Sequence, residues 1–164
     1  MTIILKNKDT LVVYDHHFKC SIGKNGITSK KREGDFKTPK GIYYIDALYY
    51  RADRIKKPNT NLRTIVIKKN MGWSNDIKDS KNYNKLIKVN NNISHEKMYR
   101  HDNKYNLVIP IKYNFKQPIL GKGSAIFLHL TFNYKPTAGC IALSQSDFLI
   151  LLKLINKRTR IKIY

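Results

Sequence analysis

The sequence predicts one mainly β domain, with one helix in its C-terminal region and a long loop in the middle. Three observations carry this. Short runs rich in Ile, Val, Tyr and Phe recur between polar turns. Only the segment from Phe148 to Ile155 keeps its apolar residues at helical spacing. The 164 residues show no internal repeat and no linker, which fits a single domain over 1–164.

Taken in order, Thr2 to Leu5 and Leu11 to Tyr14 are β-branched and apolar, separated by the turn Asn7-Lys8-Asp9. Asp15-His16 turns the chain into a third strand, Phe18 to Ile22, which Gly23-Lys24-Asn25-Gly26 ends. A polar loop from Ser29 to Lys37 closes on Thr38-Pro39-Lys40-Gly41. Ile42 to Tyr50 reads as one strand, and Leu62 to Ile67 alternates as a strand should. From Asn70 to Ser94 the chain is rich in Asn and Lys, with few apolar anchors beyond Trp73, Tyr83 and Leu86-Ile87. This predicts a long ordered loop or inserted subregion, a length at which loops tend to be functional or disordered. Leu107 to Ile111 resumes the sheet. Ser124 to Leu130 is nearly all apolar, as in a strand buried on both faces. Ile141 to Leu143 is a short strand. Ser144 or Ser146 caps a helix reaching about Lys157, and Arg158 to Tyr164 ends the chain as a strand.

Thirty-two Lys and Arg against eleven Asp and Glu give a net charge of +21. Such a field attracts polyanions, whether nucleic acid, anionic lipid or an acidic envelope. The excess is mostly Lys, accompanied by abundant Asn and Ile and spread along the chain. A/T-rich codons favour all three residues, so composition drift is a competing cause. Two cysteines, Cys20 and Cys140, allow one disulfide but no framework of them; if Cys140 is a nucleophile it must be free, and Cys20 then reads as a packed strand residue. No export signal is visible, and no stretch reaches the eighteen apolar residues of a membrane span.

The sharpest chemical feature is His129 followed, eleven positions on, by Cys140 in Lys135-Pro136-Thr137-Ala138-Gly139-Cys140. Strand alternation puts Ala125, Phe127 and His129 on one face. A buried imidazole there needs partners, for example a backbone carbonyl and a thiol. Gly139 allows a tight backbone approach before the thiol, and the amides of Gly139 and Cys140 are candidate oxyanion donors. An imidazole beside a thiol makes a base and its nucleophile. The same spacing also fits a core histidine and a core cysteine on adjacent strands. A metal site lacks the paired-ligand pattern.

With these residues in view, the chain resembles the YkuD-type L,D-transpeptidase catalytic domain. That family carries a His, a gap, then Ser/Thr-His-Gly-Cys and an apolar residue. His129 matches the first His, and Thr137, Gly139, Cys140 and Ile141 match the second part. Upstream, Lys31 to Asp35 leading to Thr38-Pro39-Lys40-Gly41 is similar to the family's Thr-Pro-x-Gly stretch. Ala138 stands where a second His is usual, the His-to-Cys gap is short, and Ala142 replaces a polar or Arg position. A branch of the family is similar in having Pro-Thr-Ala-Gly-Cys, and in segments like Tyr49 to Asp53, Gly72-Trp73, Asn82-Tyr83-Asn84 and Ser94-His95-Glu96. The resemblance covers nearly the whole chain.

It implies a β-sandwich-like fold and an acyl-enzyme mechanism on peptidoglycan stem peptides. Cys140 would be the nucleophile, His129 the base with the Leu130 carbonyl orienting its ring, and amides near Gly139 and Cys140 the oxyanion holders. No cofactor or metal is implied. Carbapenem-type β-lactams are implied as inhibitors, and the periplasm or cell envelope as the place of work. His95, Trp73, Arg51, Thr137 and Ala138 are the candidate substrate-binding residues. The bland readings are a solvated loop histidine for His95, a packing anchor for Trp73 and an exposed strand end for Arg51. Hydrolysis by an L,D-carboxypeptidase on the same site is the alternative reaction. A basic module binding cell-wall polymer or nucleic acid, with an incidental thiol, is the alternative class. Against the latter, spread-out charge makes nucleic acid a poor expectation.

Overall fold

Residues 1–164 are all described by a computed structural model, a mainly β sandwich with one helix. The strands are β1 Thr2–Lys6, β2 Thr10–Val13, β3 His16–Ser21, β4 Ile27–Thr28, β5 Thr38–Pro39, β6 Gly41–Tyr44 and β7 Leu48–Tyr50. They continue with β8 Thr64–Val66, β9 Met71–Ser74, β10 Leu86–Lys88, β11 His95–Lys97, β12 Leu107–Pro110, β13 Phe127–Leu130 and β14 Ile141–Leu143. The helix α1 (Gln145–Leu154) and β15 (Arg160–Ile163) complete the chain.

Ten strands form one curled sheet in the order β6-β15-β1-β2-β3-β14-β13-β12-β7-β8. Its two halves meet where β3 pairs with β14, at Ser21–Ala142 and Cys20–Leu143. Alternating strands turn one set of side chains inward. Ile3 and Leu5 from one half therefore meet Leu107, Ile109, Leu128 and Leu130 from the other in a single core. Cys20 lies in this core, and both cysteines are free.

The helix closes that core. Ser144 is its N-cap, its hydroxyl taking the Asp147 N–H at 3.1 Å, with Asp147 in the first turn and Lys153 in the last, as the helix dipole favours. Phe148, Leu151 and Leu152 are buried against the sheet, whereas Ile150 points outward.

One expectation is corrected and one is narrowed. The run Ile42 to Tyr50 is not one strand: β6 pairs with β15 and β7 with β12 and β8, at opposite ends of the sheet order. The chain turns a corner at Ile45-Asp46, where the Asp46 N–H donates to Pro110 O at 2.9 Å and the Asp46 carboxylate meets Lys112 at 3.1 Å. The middle segment is not a long loop but the other reading, an inserted subregion: a small sheet of its own, β10-β9-β11, with Trp73 opposite both Leu86 and Glu96. Trp73 carries it into a second core with Tyr49, Tyr105, Phe127 and Cys140. No helix is long and apolar enough to cross a membrane.

The helix orientation is testable by a pair of truncations. Leu151→Ala should lower unfolding stability by about 2–5 kcal/mol, and Ile150→Ala should stay within about 0.5 kcal/mol, both read by urea denaturation. Equal losses would contradict the packing described here.

Candidate active site

β13 and β14 run parallel, with His129 opposite Ala142. By strand alternation Phe127 and His129 emerge on one face, and Cys140 and Ala142 emerge beside them. This is the face of the second core, and His129, Cys140 and Ala142 all line one cavity of about 560 Å³.

The loop before the thiol is built by hydrogen bonds. Thr137 Oγ1 accepts the Gly139 N–H at 3.1 Å and donates to Cys140 O at 2.6 Å. Thr137 is pinned to the Ile22–Lys24 segment through its own N–H and carbonyl, at 2.8 and 2.9 Å. Gly139 has φ +138°, and a Cβ there would sit 2.8 Å from Lys37 O, so only glycine fits. Behind it, the buried Thr38 hydroxyl takes the Gly23 N–H and donates to Gly139 O, each at 2.9 Å. The Thr-Pro-Lys-Gly stretch thus buttresses the thiol loop. Because Thr137 occupies the Gly139 amide, the expected pair of oxyanion donors is reduced to the Cys140 N–H.

The thiol and the imidazole are 8% and 6% exposed. His129 Nδ1 donates to Leu130 O at 2.8 Å, which leaves Nε2 as the acceptor. The Tyr105 ring packs edge-on against the imidazole, centroids 5.3 Å apart. Burial pulls the imidazole down to about 4, against the Leu130 bond, which favours its charged form. Burial likewise pushes the thiol up to about 12, opposed by the Phe127 N–H that reaches Sγ at 3.4 Å. The thiol donates to Ala125 O at 3.3 Å rather than to the imidazole. Both groups are therefore neutral at rest, an uncharged imidazole and a protonated thiol rather than an ion pair.

Of the sequence-predicted residues, Cys140, His129, Thr137 and Ala138 line the cavity, and Gly139 lies buried behind it. Ala138 is exposed at the rim and contributes no polar atom. His95, Trp73 and Arg51 do not line it. The His95 ring packs over Gly72, with Nδ1 2.7 Å from Ile93 O. Trp73 stacks edge-on behind Phe127 at 5.2 Å and donates Nε1–H to Asn84 Oδ1 at 2.9 Å. Arg51 is buried, holds Asp53 through two hydrogen bonds of 2.8 and 2.7 Å, and lies over the Tyr99 ring. Its guanidinium has little left to offer a ligand carboxylate.

The residues missed by sequence reasoning are Glu33, Glu96, Arg100 and Tyr105, all in the cavity wall. Glu96 Oε1 accepts from Arg100 at 3.0 Å and from Tyr105 OH at 3.1 Å, so it fixes the ring that packs on His129. Strand parity was the available signal. Glu96 is opposite Trp73 and shares its face, whereas the favoured neighbour His95 is opposite Ser74 on the other face.

Two pH effects follow. Alkylation of Cys140 by iodoacetamide, read by peptide mass spectrometry, should rise about tenfold per pH unit between roughly pH 6 and 10, because the thiolate fraction keeps growing. A plateau between about pH 5 and 7 would reveal a thiolate–imidazolium pair instead. For stability, the raised thiol value contributes below pH about 9 and is lost as pH climbs toward about 12. The lowered imidazole value contributes above pH about 6.5 and is lost as pH falls through about 4.

The family model for YkuD, the L,D-transpeptidase catalytic domain, matches residues 1–163 of the chain. Comparison with curated proteins and with solved structures returned no match.

Proposed function

The chain belongs to the YkuD family of L,D-transpeptidase catalytic domains, and within it we propose a peptidoglycan L,D-transpeptidase that works through a Cys140 acyl-enzyme. The observation that carries this reading is the shared cavity: in a chain of this family, one thiol and one neutral imidazole open on the same space from adjacent strands. Residues 1–164 act as one catalytic domain, and the work is done in the cell envelope, with which the family is associated.

In this reading the stem peptide lays the carbonyl of its L,D-bond over Sγ. The thiol turns its proton from Ala125 O to His129 Nε2 as sulfur attacks carbon, so proton transfer and bond formation go together. That coupling suits a site whose burial disfavours both charged forms. The Cys140 N–H donates to the oxyanion, and the Phe127 N–H steadies sulfur whenever it carries charge. The C–N bond then breaks, and the imidazolium returns the proton to the departing D-residue. A thioester on Cys140 remains. His129 next takes a proton from the acceptor amine, which attacks the thioester; the thiolate leaves and is reprotonated.

Two measurements test this. Intact-mass spectrometry should show one carbapenem adduct on the native chain and none on Cys140→Ala. Incubation with a tetrapeptide stem and an amine acceptor should yield the exchanged peptide, with hydrolysis product if water competes. Turnover retained in Cys140→Ala would exclude the nucleophile assignment, and a native chain that forms neither adduct nor product would exclude the reaction.

A further inference from the structure

Glu33 is a carboxylate without a counter-ion in a chain of charge +21. The ion pairs of the molecule use Asp35, Asp53, Glu96, Asp102 and Asp46, never Glu33. Even Lys31, two residues away and in the same cavity wall, is turned to Asp35 and to Arg32 O. Two neutral hydroxyls hold Glu33 instead. Tyr83 OH and Ser124 Oγ both donate to Oε2, at 2.6 and 2.7 Å, while Oε1 has no partner. Neutral donors orient a carboxylate without cancelling its charge, and half-burial raises the cost of leaving that charge unpaired. The arrangement is pre-organised for a cation that the protein itself does not supply.

We infer that Glu33 is a specificity-determining residue that binds an ammonium group of the substrate through Oε1. This rests on the acyl-transfer reading above and adds the substrate's charge to it. Position identifies which ammonium. Ser124 holds Glu33 and is followed by Ala125, whose carbonyl receives the thiol's hydrogen bond. The leaving and acceptor amines must instead meet Nε2 of His129, whose ring packs on Tyr105. Glu33 therefore serves the residue whose carbonyl is attacked, and it reads an ammonium at the end of that residue's side chain, as on a diamino acid.

The test measures binding without turnover. Cys140→Ala protein is titrated calorimetrically with a stem tetrapeptide bearing a free side-chain ammonium, and with the same peptide acetylated on that nitrogen. The free peptide should bind roughly 10- to 100-fold more tightly, as expected for a charge-assisted hydrogen bond. Adding Glu33→Gln keeps an oxygen for Tyr83 and Ser124 but removes the charge. It should weaken the free peptide to the level of the acetylated one and leave the acetylated one unchanged. Equal affinities for the two peptides in the Glu33 protein, discrimination that survives in Glu33→Gln, or loss of both peptides together would each overturn the inference, the last by making Glu33 a scaffold only. Turnover of the native chain is scored separately. Discriminating binding with no turnover would sink the acyl-transfer reading and leave the ammonium site standing.

Discussion

The parallel pairing of β13 with β14 sets Leu128 opposite Ile141 and Leu130 opposite Leu143, and all four side chains are buried in the larger core. That burial fixes the register, because a slip of one residue would turn each apolar side chain out of the core. With the register fixed, the alternate residues have no choice. Phe127, His129, Cys140 and Ala142 must face the other way, into the second core and its cavity. The thiol and the imidazole share a face because the leucines beside them share another. Site geometry is in this sense a by-product of core packing, and substitutions in the larger core would reach the site through the register.

The second core gives the pair its electrostatic character. Phe127 and Tyr105 pack around the strand ends, with Trp73 behind Phe127, and the resulting burial dominates both titrations and keeps both groups neutral at rest. Such a site holds no standing thiolate. It keeps the thiol between an acceptor, Ala125 O, and a donor, the Phe127 N–H, and leaves the imidazole Nε2 without a partner. The charged network sits one layer out. Arg100 pairs with Asp102 and Glu96, and Glu96 reaches the Tyr105 hydroxyl, so charge steers the ring that packs on the imidazole without touching the imidazole itself.

How much of this was legible in the sequence varies by kind of signal. The outer strands and the helix were readable because their apolar periodicity is set by a single core face. The same holds for the faces of Phe127 and His129 against Leu128 and Leu130. The corner at Ile45-Asp46 was not legible, since Tyr- and Ile-rich chain on both sides carries one propensity and no glycine or proline marks the turn. The middle sheet was hidden for another reason. Its three short strands owe little to local pattern and depend on Trp73 inserting behind Phe127. The loss of the Gly139 amide to Thr137 is likewise a tertiary outcome, settled by a hydroxyl two residues upstream and by the approach of Lys37 O.

The middle sheet is also what joins the site together. Asn84, just before β10, is 4% exposed and uses its whole amide. Its Oδ1 accepts from Trp73 Nε1 and from the Ala125 N–H, and its Nδ2 donates to Tyr113 O and Asn114 O. Ala125 has φ +51°, a left-handed conformation disfavoured for alanine, and the bond from Asn84 helps hold it there. The carbonyl of that same residue takes the thiol's hydrogen bond. The chain neighbour of Asn84, Tyr83, orients Glu33 and receives the Gly123 N–H at 3.0 Å. Two adjacent residues of the inserted segment thus set both the acceptor that parks the thiol and the orientation of the Glu33 carboxylate in the same cavity wall. A segment that looked like a polar loop between strands is a structural partner of the thiol, and its Asn-Tyr pair is as much a part of the cavity's design as the residues that line it.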